Sequence, residues 1–275
     1  LLILKNGKEG SEKLMDNLLL RVLSACVLLP IVFFVGYLGG WALWALILLF
    51  GAIALWELCR LFNLETSALI PAYLSFLLFL FSLRFPGYLP LELIWAISFL
   101  LDALYVILMG GSGRSLKAAF IFFAPSYLGF LLRFIYLLRE EPEGFYFLTL
   151  FLLSTFASDS VAFFVGKLWG KRKIFPKISP GKTLEGTLAS PLGGILGAVV
   201  TALIFGHSPW GVIPLGLLIS VFALWGDLFE SILKREARQK DSSNLIPGHG
   251  GFLDRLDSLL FTAPLVYFYS MLFLI

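Results

Sequence analysis

The stretch Val22 to Trp56, VLSACVLLPIVFFVGYLGGWALWALILLFGAIALW, carries no charged residue. A membrane-spanning helix needs about 20 mostly apolar residues, so this run is too long for one span. Gly36, Gly39 and Gly40 mark the reversal between two. The same reading extends along the chain. Thr66 to Leu83 makes a third span and Gly87 to Met109 a fourth. Leu116 to Leu138 makes a fifth, Phe145 to Val165 a sixth and Ser258 to Ile275 the last. Gly186 to Gly226 is again uncharged and holds two spans, turning at Gly206-His207-Ser208-Pro209. The expected fold is an all-α integral membrane protein of about nine transmembrane helices.

Composition agrees. The chain has 275 residues, 59% of them hydrophobic and 14% charged, against about 25% charged in a soluble domain. Mean hydropathy is +0.91. Cys26 and Cys59 both lie in apolar stretches, which excludes a disulfide framework or a CxxC metal pair. Their expected role is as small core residues. No cleavable leader is expected, because the first apolar run continues into a second. Residues 1–14 read as a short cytosolic tail.

Net charge is only +3, but its distribution is informative. With the N-terminus in the cytoplasm, alternate loops collect 18 of the 21 Lys and Arg, as the positive-inside rule requires. Arg84 and Arg139 fall outside and Arg133 within a span. The C-terminus then lies on the opposite side. Residues 1–140 hold spans one to five. Residues 141–275 hold spans six to nine, with cytoplasmic-face loops at 166–186 and 230–257. Glu57, Glu92, Asp102 and Arg133 are charges in or near the bilayer, where each costs at least about 2.5–3.5 kcal/mol on insertion scales. Glu57, one turn from a span end, reads as snorkelling or helix pairing. Asp102 and Arg133 could pair with each other or serve function.

Three segments interrupt the apolar pattern, all on the basic face. In the first, Ser158-Asp159-Ser160, the acid needs a partner. Lys167 lies two turns on, on a similar helix face. The second, Lys171 to Glu185, is KRKIFPKISPGKTLE, with five basic residues before one acid. Topology or attraction to anionic lipid accounts for Lys171, Arg172 and Lys173. Ser179-Pro180-Gly181-Lys182-Thr183 instead opens a helix, and free N–H groups beside a lysine and hydroxyls make an anion site. Gly181-Lys182-Thr183 is no P-loop, since Pro176 stands where that motif needs glycine.

The third segment is the richest. Asp227, Glu230, Ser231 and Lys234 form one helical stripe. Arg235, Arg238, Lys240 and Asp241 follow. Then come the Gly-rich turn Pro247-Gly248-His249-Gly250-Gly251 and Asp254, Arg255 and Asp257. Asp227 and Asp254 bracket the loop from two adjacent helices. Carboxylates supplemented by water and phosphate suit Mg²⁺, and Lys and Arg suit phosphates. A lone His249, with no companion His or Cys, does not make a zinc site. The residues therefore point to phosphoryl or nucleotidyl transfer at a membrane surface with a divalent metal.

From Ser231 to Asp257 the pattern S-x-L-K-R, then K-D-x-S from Lys240, then I-P-x-H-G-G-x-x-D-R-x-D from Ile246 resembles the signature of the phosphatidate cytidylyltransferases, the CDP-diacylglycerol synthases. It covers 27 consecutive positions. Asp159-Ser160, Gly166-Lys167 and the 179–186 stretch are similar to that family's other polar segments. Leu184 stands where the family often has Trp and Val161 where it often has Gly; both are packing positions. The resemblance implies that CTP and phosphatidic acid in the bilayer give CDP-diacylglycerol and pyrophosphate, with Mg²⁺, one ion or two, at the inner membrane and facing the cytoplasm. It implies Asp227 and Asp254 as metal ligands. Lys182, Lys234, Arg235, Lys240 and Arg255 would hold triphosphate or lipid phosphate. Asp241, His249 and Asp257 would position these groups or the loop. Asp159, Lys167, Ser179, Thr183 and Glu185 would line the site.

The attacking phosphate oxygen is already ionised near neutral pH, so positioning and charge neutralisation suffice. A CTP-dependent lipid or polyprenol kinase is the nearest rival. A transporter of anionic substrates would show paired halves with broken helices at the midplane; no repeat relates residues 1–140 to 141–275, and the charge is expected at a surface. No nucleic-acid partner is expected, and a homodimer is expected only on general grounds.

Overall fold

A computed structural model describes residues 26–85, 87–109, 115–243, 245–246 and 250–273. Among these, seven helices are long and apolar enough to cross a membrane: α2 (Gly40–Leu61), α4 (Leu91–Met109), α5 (Ser115–Glu140), α6 (Gly144–Trp169), α7 (Leu184–Ile204), α8 (Ile213–Glu236) and α9 (Leu253–Phe273). Two shorter apolar helices, α1 (Cys26–Leu38) and α3 (Leu69–Phe81), complete the set. The described residues contain isolated β-bridges and no strand. The all-α membrane architecture read from the apolar runs is the observed one. Both expected reversals occur, at Gly39 and Gly40 (φ 64° and 49°) and at Gly206 (φ 79°).

The apolar surface explains why these helices need a bilayer. Leu188, Leu192 and Leu196 repeat every fourth residue along α7 and are all more than half exposed. In water such a stripe would demand a partner; in lipid it is the solvated face. The interior is packed by Phe76, Leu80, Leu128, Leu132, Phe147 and Phe151, all essentially inaccessible. Lipid gives helices little hydrophobic reason to associate, so close backbone approach through small residues matters more. The α6–α7 seam shows this: a Cβ on Gly193 would stand 2.3 Å from the Ala157 carbonyl oxygen.

Polar residues run deeper into the helices than the spans drawn from hydropathy allow. α6 continues past Val165 to Trp169, and α9 begins at Leu253 rather than Ser258. The connecting segments are 170–183 and 237–252, shorter than the expected 166–186 and 230–257. A polar face can stay helical where it meets a protein cavity rather than lipid. Two expected ion pairs do not form. Neither Asp102 carboxylate oxygen has a hydrogen-bond partner, and the Arg133 Nε has none. Lys167 lies over the Phe163 ring rather than on Asp159.

The two arginines expected outside have structural work. Arg139 donates to the carbonyls of Gly36 (2.7 Å) and Tyr37 (2.9 Å), satisfying the end of α1. Arg84 stacks on Trp41 at 4.1 Å.

Candidate active site

The C-terminal halves of α6 and α8 and the N-terminal half of α9 enclose a cavity of about 1080 Å³ that extends to α1 and α2. Its position follows from one close approach. A Cβ on Gly226 of α8 would fall 2.2 Å from the carbonyl oxygen of Asp257 on α9. Only glycine permits that contact, and it sets Asp227, the next residue, beside Asp257. Asp159 enters from α6, and Lys182 and Thr183 from the segment that opens α7. Asp159, Asp227 and Asp257 stand within electrostatic reach of one another. Asp159 and Asp227 lie ten and nine residues from the C-terminal ends of their helices, about 14–15 Å of helix.

Each acid is partnered differently. Asp227 meets Lys182 at 2.7 Å and accepts a long bond from the Ser231 hydroxyl, 3.3 Å. Its side chain remains one-third exposed. Asp257 accepts from the Ser258 backbone N–H. Asp254 is saturated. One oxygen takes Lys234 at 2.6 Å, and the other accepts from the Ser242 N–H, the Ser242 hydroxyl and the Gly251 N–H. Lys234 also holds Glu230 at 2.9 Å, whose second oxygen is buried without a partner.

The cavity has two kinds of wall. Its polar end carries Asp159, Lys182, Asp227, Asp254 and Asp257, with the exposed Lys167, Lys173 and Arg255. Its other end is lined by Leu28 and Val32 of α1, Leu46 and Ile47 of α2, and Leu148 and Leu152 of α6. A charged phosphate and an apolar chain on one molecule match the two ends.

The sequence-predicted residues divide accordingly. Asp159, Lys167, Ser179, Lys182, Thr183, Asp227, Asp254, Arg255 and Asp257 line the cavity. Lys234 stands behind Asp254. Arg235 is turned to structure, donating to the carbonyls of Ile178 (3.1 Å) and Gln239 (3.0 Å). Lys240 and Asp241 are exposed and are not among the lining residues. Glu185 accepts from the backbone N–H groups of Lys171 and Arg172 and so fastens the 170–173 turn. His249 lies outside the described residues.

The expected anion site at the start of α7 is not open. The Leu184 N–H donates to the Arg172 carbonyl, and the Gly186 N–H to the Thr183 hydroxyl, a side-chain N-cap. Lys173, read as a topology marker, lines the cavity instead.

The comparisons with known proteins give the family. A family model described as the cytidylyltransferase family matches residues 19–273. The chain belongs to the cytidylyltransferase family. It is 35% identical to the phosphatidate cytidylyltransferase of Bacillus subtilis over 268 residues, 92% of this chain and 97% of that protein. The Staphylococcus saprophyticus phosphatidate cytidylyltransferase is 33% identical over 258 residues, 90% of this chain and 96% of that protein. The Brucella abortus enzyme of the same name matches at 37% over 173 residues, 62% of this chain and 63% of that protein. The resemblance carried by 27 positions thus extends over nearly the whole chain, including the N-terminal helices.

Proposed function

We propose that this membrane protein transfers the cytidylyl group of CTP to phosphatidate, giving CDP-diacylglycerol and pyrophosphate for phospholipid synthesis. The observation that carries the reading is the two-ended cavity, acidic and basic at the inner end and apolar toward α1 and α2. The homologue names and the family point the same way. The inner end faces the cytoplasm of the inner membrane on the charge distribution, so CTP enters from water and phosphatidate from the bilayer.

A phosphate oxygen of phosphatidate attacks the α-phosphorus of CTP. The new bond is lipid phosphate O–Pα; the bond from Pα to the bridging oxygen of the β-phosphate breaks, and pyrophosphate leaves. No proton need be taken from the nucleophile, so the protein's task is to orient two anions and offset their charge. Lys182, Lys167, Lys173 and Arg255 are placed to bind phosphates. Lys182 exchanges Asp227 for a phosphate oxygen without leaving the cavity. Leu46, Ile47 and Leu148 hold an acyl chain.

The donor set fits a hard, oxygen-liganded cation. Asp159, Asp227, Asp254 and Asp257 converge on the polar end of the cavity, and one oxygen of the neighbouring Glu230 is buried without a hydrogen-bond partner. Among the described residues, no three His, Cys, Asp or Glu are grouped to cage a metal. Mg²⁺ needs no such cage, taking one or two carboxylates and otherwise water and phosphate. Asp227 and Asp254 would hold it, Asp254 through the oxygen now on Lys234, which keeps Glu230 as partner. When bound, the ion would offset charge on the reacting phosphates and on pyrophosphate.

The test uses CTP labelled at the γ-phosphate, phosphatidate and purified protein in detergent. Label in pyrophosphate is the expected result. Label in lipid would make the protein a kinase instead.

A further inference from the structure

We infer that Glu57, on α2 and far in sequence from the signature, is a positioning residue for this reaction. It fixes the junction between the 241–252 segment and α9. Its side chain is fully buried, yet no lysine or arginine pairs with it among the contacts of the described residues. Three groups donate to it alone, and a fourth, the single Ser242 hydroxyl, is shared with Asp254. The backbone N–H groups of Leu253 (2.7 Å) and Phe252 (3.1 Å) reach its two oxygens, as do the hydroxyls of Ser242 (3.2 Å) and Ser243.

The first N–H groups of a helix have no partner within it, and the helix dipole favours negative charge there. Glu57 supplies both from a different helix. It is an N-cap delivered across almost 200 residues of chain.

What it caps is the turn that carries the acids. Asp254 is in the first turn of α9 and Asp257 in the second. The Ser242 hydroxyl lies between Glu57 and Asp254, 2.9 Å from the latter. A Cβ on Gly251 would stand 2.1 Å from that hydroxyl and 2.5 and 2.6 Å from the Glu57 oxygens, so any side chain there would displace both groups. Phe50, one side of the apolar wall, packs against Phe252 at a tilt, with ring centroids 5.0 Å apart. α2 thereby grips the start of α9 at two points, Phe50 and Glu57, while also lining the lipid end. Glu57 touches no lining atom of the polar end, and its effect on chemistry runs through the register of Asp254 and Asp257.

The inference rests on the cytidylyltransferase reading, and its test separates the two. Glu57→Gln, Glu57→Asp and Glu57→Ala are compared with wild type for CDP-lipid formation, thermal stability in detergent and hydrogen exchange at Phe252 and Leu253. The expected result is a kcat about 100-fold lower in Glu57→Ala, with partial rescue in Glu57→Gln. KM for CTP rises by less than kcat falls, since Arg255 moves with α9 while Lys182, Lys167 and Lys173 stay in place, and KM for phosphatidate stays within about threefold. Both amides exchange faster in Glu57→Ala. A folded variant with wild-type kcat, or unchanged exchange at both amides, overturns the inference. So does failure of all three variants to fold, which would make Glu57 a stability residue only. If wild type forms no CDP-lipid, the functional reading fails, and exchange at the two amides still decides whether Glu57 holds the junction.

Discussion

Asp227 and Asp254 are alike in sequence, acids that bracket the basic segment and the Gly-rich turn, and unlike in structure. Asp227 stands one-third exposed in the cavity, with Lys182 on one oxygen and a long serine contact on the other. Asp254 is buried under the start of α9 and accepts four hydrogen bonds. The contrast separates an acid open to substrate from one that also holds the site together and has only the oxygen on Lys234 to offer a metal. Asp159 and Asp257 share the cavity with Asp227; Glu57 shares one donor, the Ser242 hydroxyl, with Asp254.

The largest effect should come from the open acid. Asp227→Asn is expected to lower kcat on the order of 10³-fold, measured as CDP-lipid formed per minute, while the melting temperature in detergent stays within about 2 °C of wild type. A comparable loss of stability would erase the distinction between the two acids.

Asp254→Asn should differ in kind. Activity falls, and the protein also loses about 1–3 kcal/mol, the range for a charge-assisted hydrogen bond whose partner keeps another acceptor. Lys234 retains Glu230, which limits the damage. A thermal-shift series with Asp227→Asn as control checks this.

The smallest effect belongs to the apolar end. Leu46→Trp fills space there without touching the acids, and should raise KM for long-chain phosphatidate on the order of 10-fold. KM for CTP should not move. An equal change for both substrates would show that the two ends are not separate subsites.

The sequence disclosed the fold because apolar runs and basic loops are written in composition, and it disclosed the signature because acids stand out against that background. Other features were hidden for physical reasons. Glu57 is a single acid near a helix end, and nothing local shows that its partners lie almost 200 residues on. The apolar cavity wall cannot be told from lipid-facing residues, since Leu46 and Leu192 are chemically the same and differ only in what surrounds them. The start of α7 looked like an anion site until Thr183 and the Arg172 carbonyl were seen to take its N–H groups. Arg235 and Glu185 carry the charge expected of ligand-binding groups, but spend it on backbone.

The central claim is that Asp227, in the open part of the cavity, serves transfer of a cytidylyl group with release of pyrophosphate. Pyrophosphate released from CTP in the presence of phosphatidate and Mg²⁺, followed for wild type and Asp227→Ala at matched folded concentrations, tests it most directly. Lipid-dependent release by wild type and its loss in Asp227→Ala is the predicted result. Undiminished release by Asp227→Ala would contradict it.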